Sequence, residues 1–158
     1  MGAAFFYHLT DSPLEVTLPM LIGKARTAGW RIEVRGTDDG QMRRLDEALW
    51  RGPDDGFLPH GLAGGPHDAL QPVLLTVAGT GHGPQAGSEP GCLMTLGGAE
   101  VSPEEVVAST RACILFDGHD PDAVQTARRQ WSALTKAGVA AQYWAQVDGR
   151  WTKQAEKG

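Results

Sequence analysis

The side chains of this sequence that could do chemistry are thinly spread. His8, His60, His67, His82 and His119 form no HxxxH or HExxH pattern, and none stands at ligand spacing from a cysteine. A zinc site built from local sequence needs such spacings, so no metal and no cofactor are expected. Cys92 and Cys113 lack a CxxC relation and read as reduced core residues. Gly79, Gly81, Gly83 and Gly87 crowd one stretch, but it opens no helix and lacks the GKS or GKT ending of a phosphate-binding loop. Asp46 and Glu47 are adjacent, so a helix would turn them about 100° apart, the wrong geometry for a catalytic carboxylate pair. Asp54-Asp55-Gly56 reads as a turn, and no GxSxG elbow is present. No catalytic constellation emerges.

Two stretches suit binding better than catalysis. In "RLDEALWRGPDDGFLPHGLAG" (44–64), an amphipathic helix breaks at Gly52-Pro53, and Trp50, Phe57, Leu58, Pro59 and His60 cluster around the break. Those groups either close the edge of the core or form an apolar patch for a protein partner. Further on, Val124, Arg128, Trp131 and Thr135 stand at i, i+4, i+7 and i+11, one stripe of a helix. A guanidinium beside an aromatic ring suits the carboxylate and terminal ring of a peptide. The plainer alternative makes Trp131 core and Arg128 its solvated flank.

The elements that must hold these groups alternate. Strands are expected at 3–9, 30–36, 72–78, 92–96 and 112–116, from short apolar or alternating runs. Helices are expected after Ser12-Pro13, with Glu15 completing a capping box and Pro19 awkward inside, and across 38–50. Two more follow Ser102-Pro103, with Glu105, and Asp120-Pro121. Gly29 and Gly138 stop the first and the last. The chain then ends in a strand, an Asp148-Gly149 turn and a short return strand, with a polar tail that frays after Trp151. Strands alternating with helices imply one α/β domain with a largely parallel sheet flanked by helices. Its expected span is 1–151, with 152–158 as the tail.

At 158 residues the chain can bury roughly two-thirds of its surface and needs no staples. The start shows no signal peptide or lipid signal and no run reaches a membrane span, so a cytoplasmic protein is expected, with no membrane partner. A net charge of −5 argues against strong direct nucleic-acid binding. The charge is uneven: residues 1–118 hold 8 basic against 15 acidic residues, whereas 119–158 hold 6 against 4. A basic last quarter on an acidic body favours a local contact with something acidic.

"RLDEALW" followed by "FLPHGLAG" resembles the signature of the chi subunit of bacterial DNA polymerase III, an accessory protein of the clamp loader. "FFYHL", "PVLLT" and "ARRQWSALTKAG" resemble the family's first strand, middle strand and late helix. The resemblance implies a Rossmann-like domain without catalysis and with two binding faces. One, falling on Trp50, Phe57, Leu58, Pro59 and His60, would dock the psi subunit or another clamp-loader subunit. The other would take the acidic, Phe-ending C-terminal tail of single-stranded-DNA-binding protein (SSB). There Arg128 would hold the terminal carboxylate, and Trp131, where the family tends to carry Tyr, would border the ring. Val124 stands where some members carry Lys, and Arg129 and Lys136 supply positive charge nearby. The chain would then be a non-enzymatic replisome adaptor. The rival from another class is an α/β protein that binds a small molecule or nucleotide, or an enzyme built on that fold.

Overall fold

A computed structural model of the chain describes residues 3–10, 14–50, 61–62, 73–77, 91–148 and 150–157. The strands are β1 (Ala3–Leu9), β2 (Ile32–Gly36), β3 (Gly61–Leu62), β4 (Val73–Val77), β5 (Cys92–Thr95), β6 (Arg111–Asp117), β7 (Ala140–Val147) and β8 (Arg150–Lys157). The helices are α1 (Leu14–Thr27), α2 (Asp39–Trp50), α3 (Pro103–Ala108) and α4 (Pro121–Lys136). They build a mixed α/β unit around one sheet of order β3-β4-β2-β5-β6-β1-β7-β8. Every pair from β3 to β7 is parallel, and only β7–β8 is antiparallel.

Alternation along β1 assigns the two faces of the sheet. Tyr7 and Leu9 join one core with Leu18, Leu21, Ile22 and Ala25 of α1 and Met42 and Leu45 of α2. Ala4 and Phe6 join the other with Val106 of α3 and Ala127 and Leu134 of α4. Burying a Leu or Phe of this kind contributes roughly 1.5–3 kcal/mol, so each helix is held by its stripe more than by propensity.

Local chemistry sets the helix ends. The Ser102 hydroxyl accepts from the Glu105 N–H at 3.1 Å, and the Ser102 N–H donates to Glu105 Oε1 at 3.0 Å. That is the capping box expected from Ser-Pro-x-Glu. Asp120 caps α4 by accepting from the Asp122 N–H, with Pro121 at the first helical position. Gly29 and Gly138 follow α1 and α4 at φ +84° and +87°, where a side chain would be strained. Pro19 lies inside α1 as expected. Ser12 and Pro13, and the loop 79–90, lie outside the described residues.

The cation Arg35 locks β2 to α3. It donates to buried Glu33 at 2.9 Å and to Glu105 at 2.6 Å, and the Thr76 hydroxyl adds a bond to Glu33 at 2.8 Å. A carboxylate buried in a central strand is tolerable only with such partners. Both acids push the Arg35 pKa up against its own desolvation, and Arg35 in turn holds Glu105 below the usual carboxylate range.

Two expectations are corrected. The run at 72–78 is the fourth strand, because the two-residue β3 precedes it; a strand that short has no periodicity to read. Residues 152–157, expected to fray, continue β8 against β7 from Arg150–Val147 to Lys157–Ala141. Their polarity marks an outermost strand exposed on most of its length, and edge strands are often charged.

Candidate functional site

α4 packs on β6 and β7, over the intervening β1, and brings three of the sequence-assigned residues to one surface. Val124 and Trp131 both pack on the core of that face. The half-buried Trp131 ring meets Phe6 edge-on, with centroids 5.4 Å apart and planes at 65°. It meets Tyr143 of β7 at 6.2 Å and 78°. Such T-shaped pairs fix an indole firmly, so Trp131 seals the core and also gives surface to solvent. Arg128, one turn earlier, is exposed, and no hydrogen bond or ion pair joins its guanidinium to a described residue.

Sequence reading missed two residues of this surface, His8 and Tyr143. His8 Nδ1 and the Tyr143 hydroxyl are 2.6 Å apart, with the donor set by the imidazole tautomer. The His8 ring also lies 5.1 Å from Phe116 and 5.9 Å from Tyr143. Gly118 permits this placement, because a Cβ there would run into the His8 ring and approach the Leu9 carbonyl at 2.8 Å. Burial pulls the His8 pKa below its ordinary value, and His119 and Arg128 push the same way against the Gly118 hydrogen bond and Asp117. Burial raises the Tyr143 pKa, and Arg128 opposes it. Arg128 thus acts electrostatically on both rings. Alternation in β1 sets His8 on the face of Phe6, a signal present in the sequence. Its partner, 135 residues away, was not.

The remaining assigned cations do not converge with Arg128. Arg129, about 100° round the helix, donates to Thr126 Oγ1 at 3.1 Å and lines a cleft between α3 and α4 with Gln130 and Glu105. Lys136 is exposed in the last turn. Thr135, the end of the stripe, turns its hydroxyl back to the Trp131 carbonyl at 2.8 Å. Of the second set, Trp50 is the last residue of α2, and Phe57, Leu58, Pro59 and His60 lie outside the described residues.

This surface combines an open guanidinium, two aromatic rings, an aliphatic side chain and a histidine biased to neutrality. It can bind an anion beside an apolar group, and it offers no activated nucleophile. Among the described residues no three His, Cys, Asp or Glu side chains are placed to hold a metal ion. Nor is any described helix long and apolar enough to cross a membrane.

Comparison with known proteins identifies the family. Residues 1–142 match the family model described as DNA polymerase III chi subunit, HolC. The curated DNA polymerase III subunit chi of Escherichia coli (strain K12) is 50% identical over 37 residues. That stretch covers 23% of this chain and 25% of the relative. The family match runs from β1 into β7 and so includes all of α4. The chain belongs to the DNA polymerase III chi subunit family.

Proposed function

We propose that this protein is a non-enzymatic adaptor, Rossmann-like in fold, that links the clamp loader to SSB by binding the acidic C-terminal tail of SSB on the α4–β1–β7 surface. The observation that carries the reading is Arg128: an exposed guanidinium with no hydrogen bond or ion pair to a described residue, one helical turn from an indole braced by Phe6 and Tyr143. A guanidinium pairs bidentately with a carboxylate, and the adjoining apolar surface of Val124, Trp131 and Tyr143 suits a terminal phenyl ring. Arg129 and Lys136 act at longer range on the acidic residues upstream in the tail. The second face, for psi or another clamp-loader subunit, is assigned to Trp50, Phe57, Leu58, Pro59 and His60 on the resemblance of their motif.

The test is titration with an acidic peptide ending in Phe, followed by the indole N–H signal of Trp131. Saturable movement of that signal is expected, with Arg128→Ala weakening binding roughly tenfold to a hundredfold. Equal affinity of the variant and the parent would refute the placement.

A further inference from the structure

The opposite face of the sheet holds a cavity of about 430 Å³, within the usual range for small-molecule sites. It lies between α1 and the strands β5, β6 and β1, and Trp144 of β7 and Trp151 of β8 form a wall on the side of the edge strand. Trp151 stands edge-on to Tyr7 at 5.3 Å and 88°, and the Trp144 indole donates to Gln142 Oε1 at 3.0 Å, so both rings are fixed. Deeper in, the guanidinium of half-buried Arg111 is stacked 4.2 Å from the centre of the Phe5 ring and 5.1 Å from that of Trp30. Stacking leaves its N–H groups directed outward in the guanidinium plane, and no hydrogen bond or ion pair joins them to a described residue. Arg35, by contrast, is held by two carboxylates. Lys24 of α1 also lines the cavity, and among the described residues no aspartate or glutamate does. In a chain of net charge −5, the described lining of this space has two cations, no anion and walls of aromatic rings.

We propose that this cavity binds a small planar anion, an aromatic ring carrying one carboxylate or phosphate. The ring lies against Trp144 and Trp151, and the anionic group takes the free edge of the Arg111 guanidinium, with Lys24 adding charge at the mouth. The site is separate from the α4 surface and does not depend on its function.

The experiment follows the indole N–H signals of uniformly 15N-labelled protein, assigned through single Trp→Phe variants. The carboxylate probe is 3-phenylpropionate with its neutral amide as control; the phosphate probe is AMP with adenosine as control. At least one anion should move the signals of Trp30, Trp144 and Trp151 and leave Trp131, on the other face, in place. Its neutral control should bind at least about tenfold more weakly, and the anion that binds more tightly distinguishes carboxylate from phosphate as the group the site prefers. Arg111→Met should cost about tenfold or more; exposed Lys24→Gln, which removes no packing, should cost about threefold and serves if the first variant fails to fold. Absence of shifts up to about 10 mM of either anion, neutral controls that bind as well, or full affinity in Lys24→Gln and in a folded Arg111→Met would overturn the proposal. A failure here leaves the Trp131 response to the acidic peptide untouched, so the two sites are judged separately.

Discussion

The Tyr143 hydroxyl and His8 Nδ1, 2.6 Å apart, tie β7 to β1 on the face that α4 covers. Tyr143→Phe removes the bond and keeps the ring contacts to Trp131 and Phe116. Because the bond is only partly buried, the loss should be about 0.5–1.5 kcal/mol in urea unfolding. A variant as stable as the parent would mean that water replaces the hydroxyl at no cost. Peptide affinity should change little, since the ring wall remains.

The pH dependence of stability should show two windows. The folded His8 pKa is lowered, so the unfolded chain takes up a proton more readily. The resulting stabilisation is present above the unfolded value near 6.5 and is lost as pH falls through the folded value. Glu105 is lowered mainly by its hydrogen bond to Arg35, and its contribution disappears only as pH falls below its unfolded value of 4.5. Urea unfolding of the parent and His8→Gln should therefore diverge most at neutral pH and converge as pH drops towards 5. A constant difference across that range would remove His8 as the cause. An acidic ligand beside Arg128 favours His8 protonation, so peptide binding should tighten between pH 7.5 and 6 in the parent and not in His8→Gln.

What the sequence made legible here was local. Ser102-Pro103-Glu105 and Asp120-Pro121 state helix starts in adjacent residues, and the 124-128-131 stripe states a helix face. Strand pairing is not local: nothing near β1 says that it lies between β6 and β7. His8–Tyr143, Arg111 with Phe5 and Trp30, and Glu33 with Thr76 all depend on that order, so none could be named beforehand. Arg129 was a different case. Its position one residue past Arg128 already turned it about 100° away, and grouping the two by charge alone overlooked that.

Cys92 and Cys113 show the same non-local effect. They come from neighbouring strands into one core on one side of the sheet, where each acts on the ionisation of the other. The neighbouring Cys113, with help from Arg111, lowers the Cys92 pKa against burial, whereas Cys92 and burial together raise that of Cys113. Both side chains are buried and free. A thiol reagent should therefore label native protein at least about a hundredfold more slowly than urea-unfolded protein, because reaction needs both a thiolate and an opening. Mass spectrometry of partly labelled protein should find Cys92 modified before Cys113. Labelling of Cys113 first would contradict the assigned order.

The Arg128 contact can be separated from general electrostatic attraction by a thermodynamic cycle. Amidating the peptide C-terminus removes the carboxylate, and Arg128→Ala removes its proposed partner. If the two groups meet, either change alone should cost about 1.5–3 kcal/mol, and both together should cost clearly less than the sum. Arg129→Ala, about 100° round the helix from Arg128 and bonded to Thr126, should instead lose only a screened long-range term of a few tenths of a kcal/mol and combine additively with amidation. Raising the salt concentration should erode the Arg129 effect more than the Arg128 effect, because contact pairs are screened least. Strict additivity of Arg128→Ala with amidation would show that the carboxylate sits elsewhere, even if the peptide still binds to the α4 face.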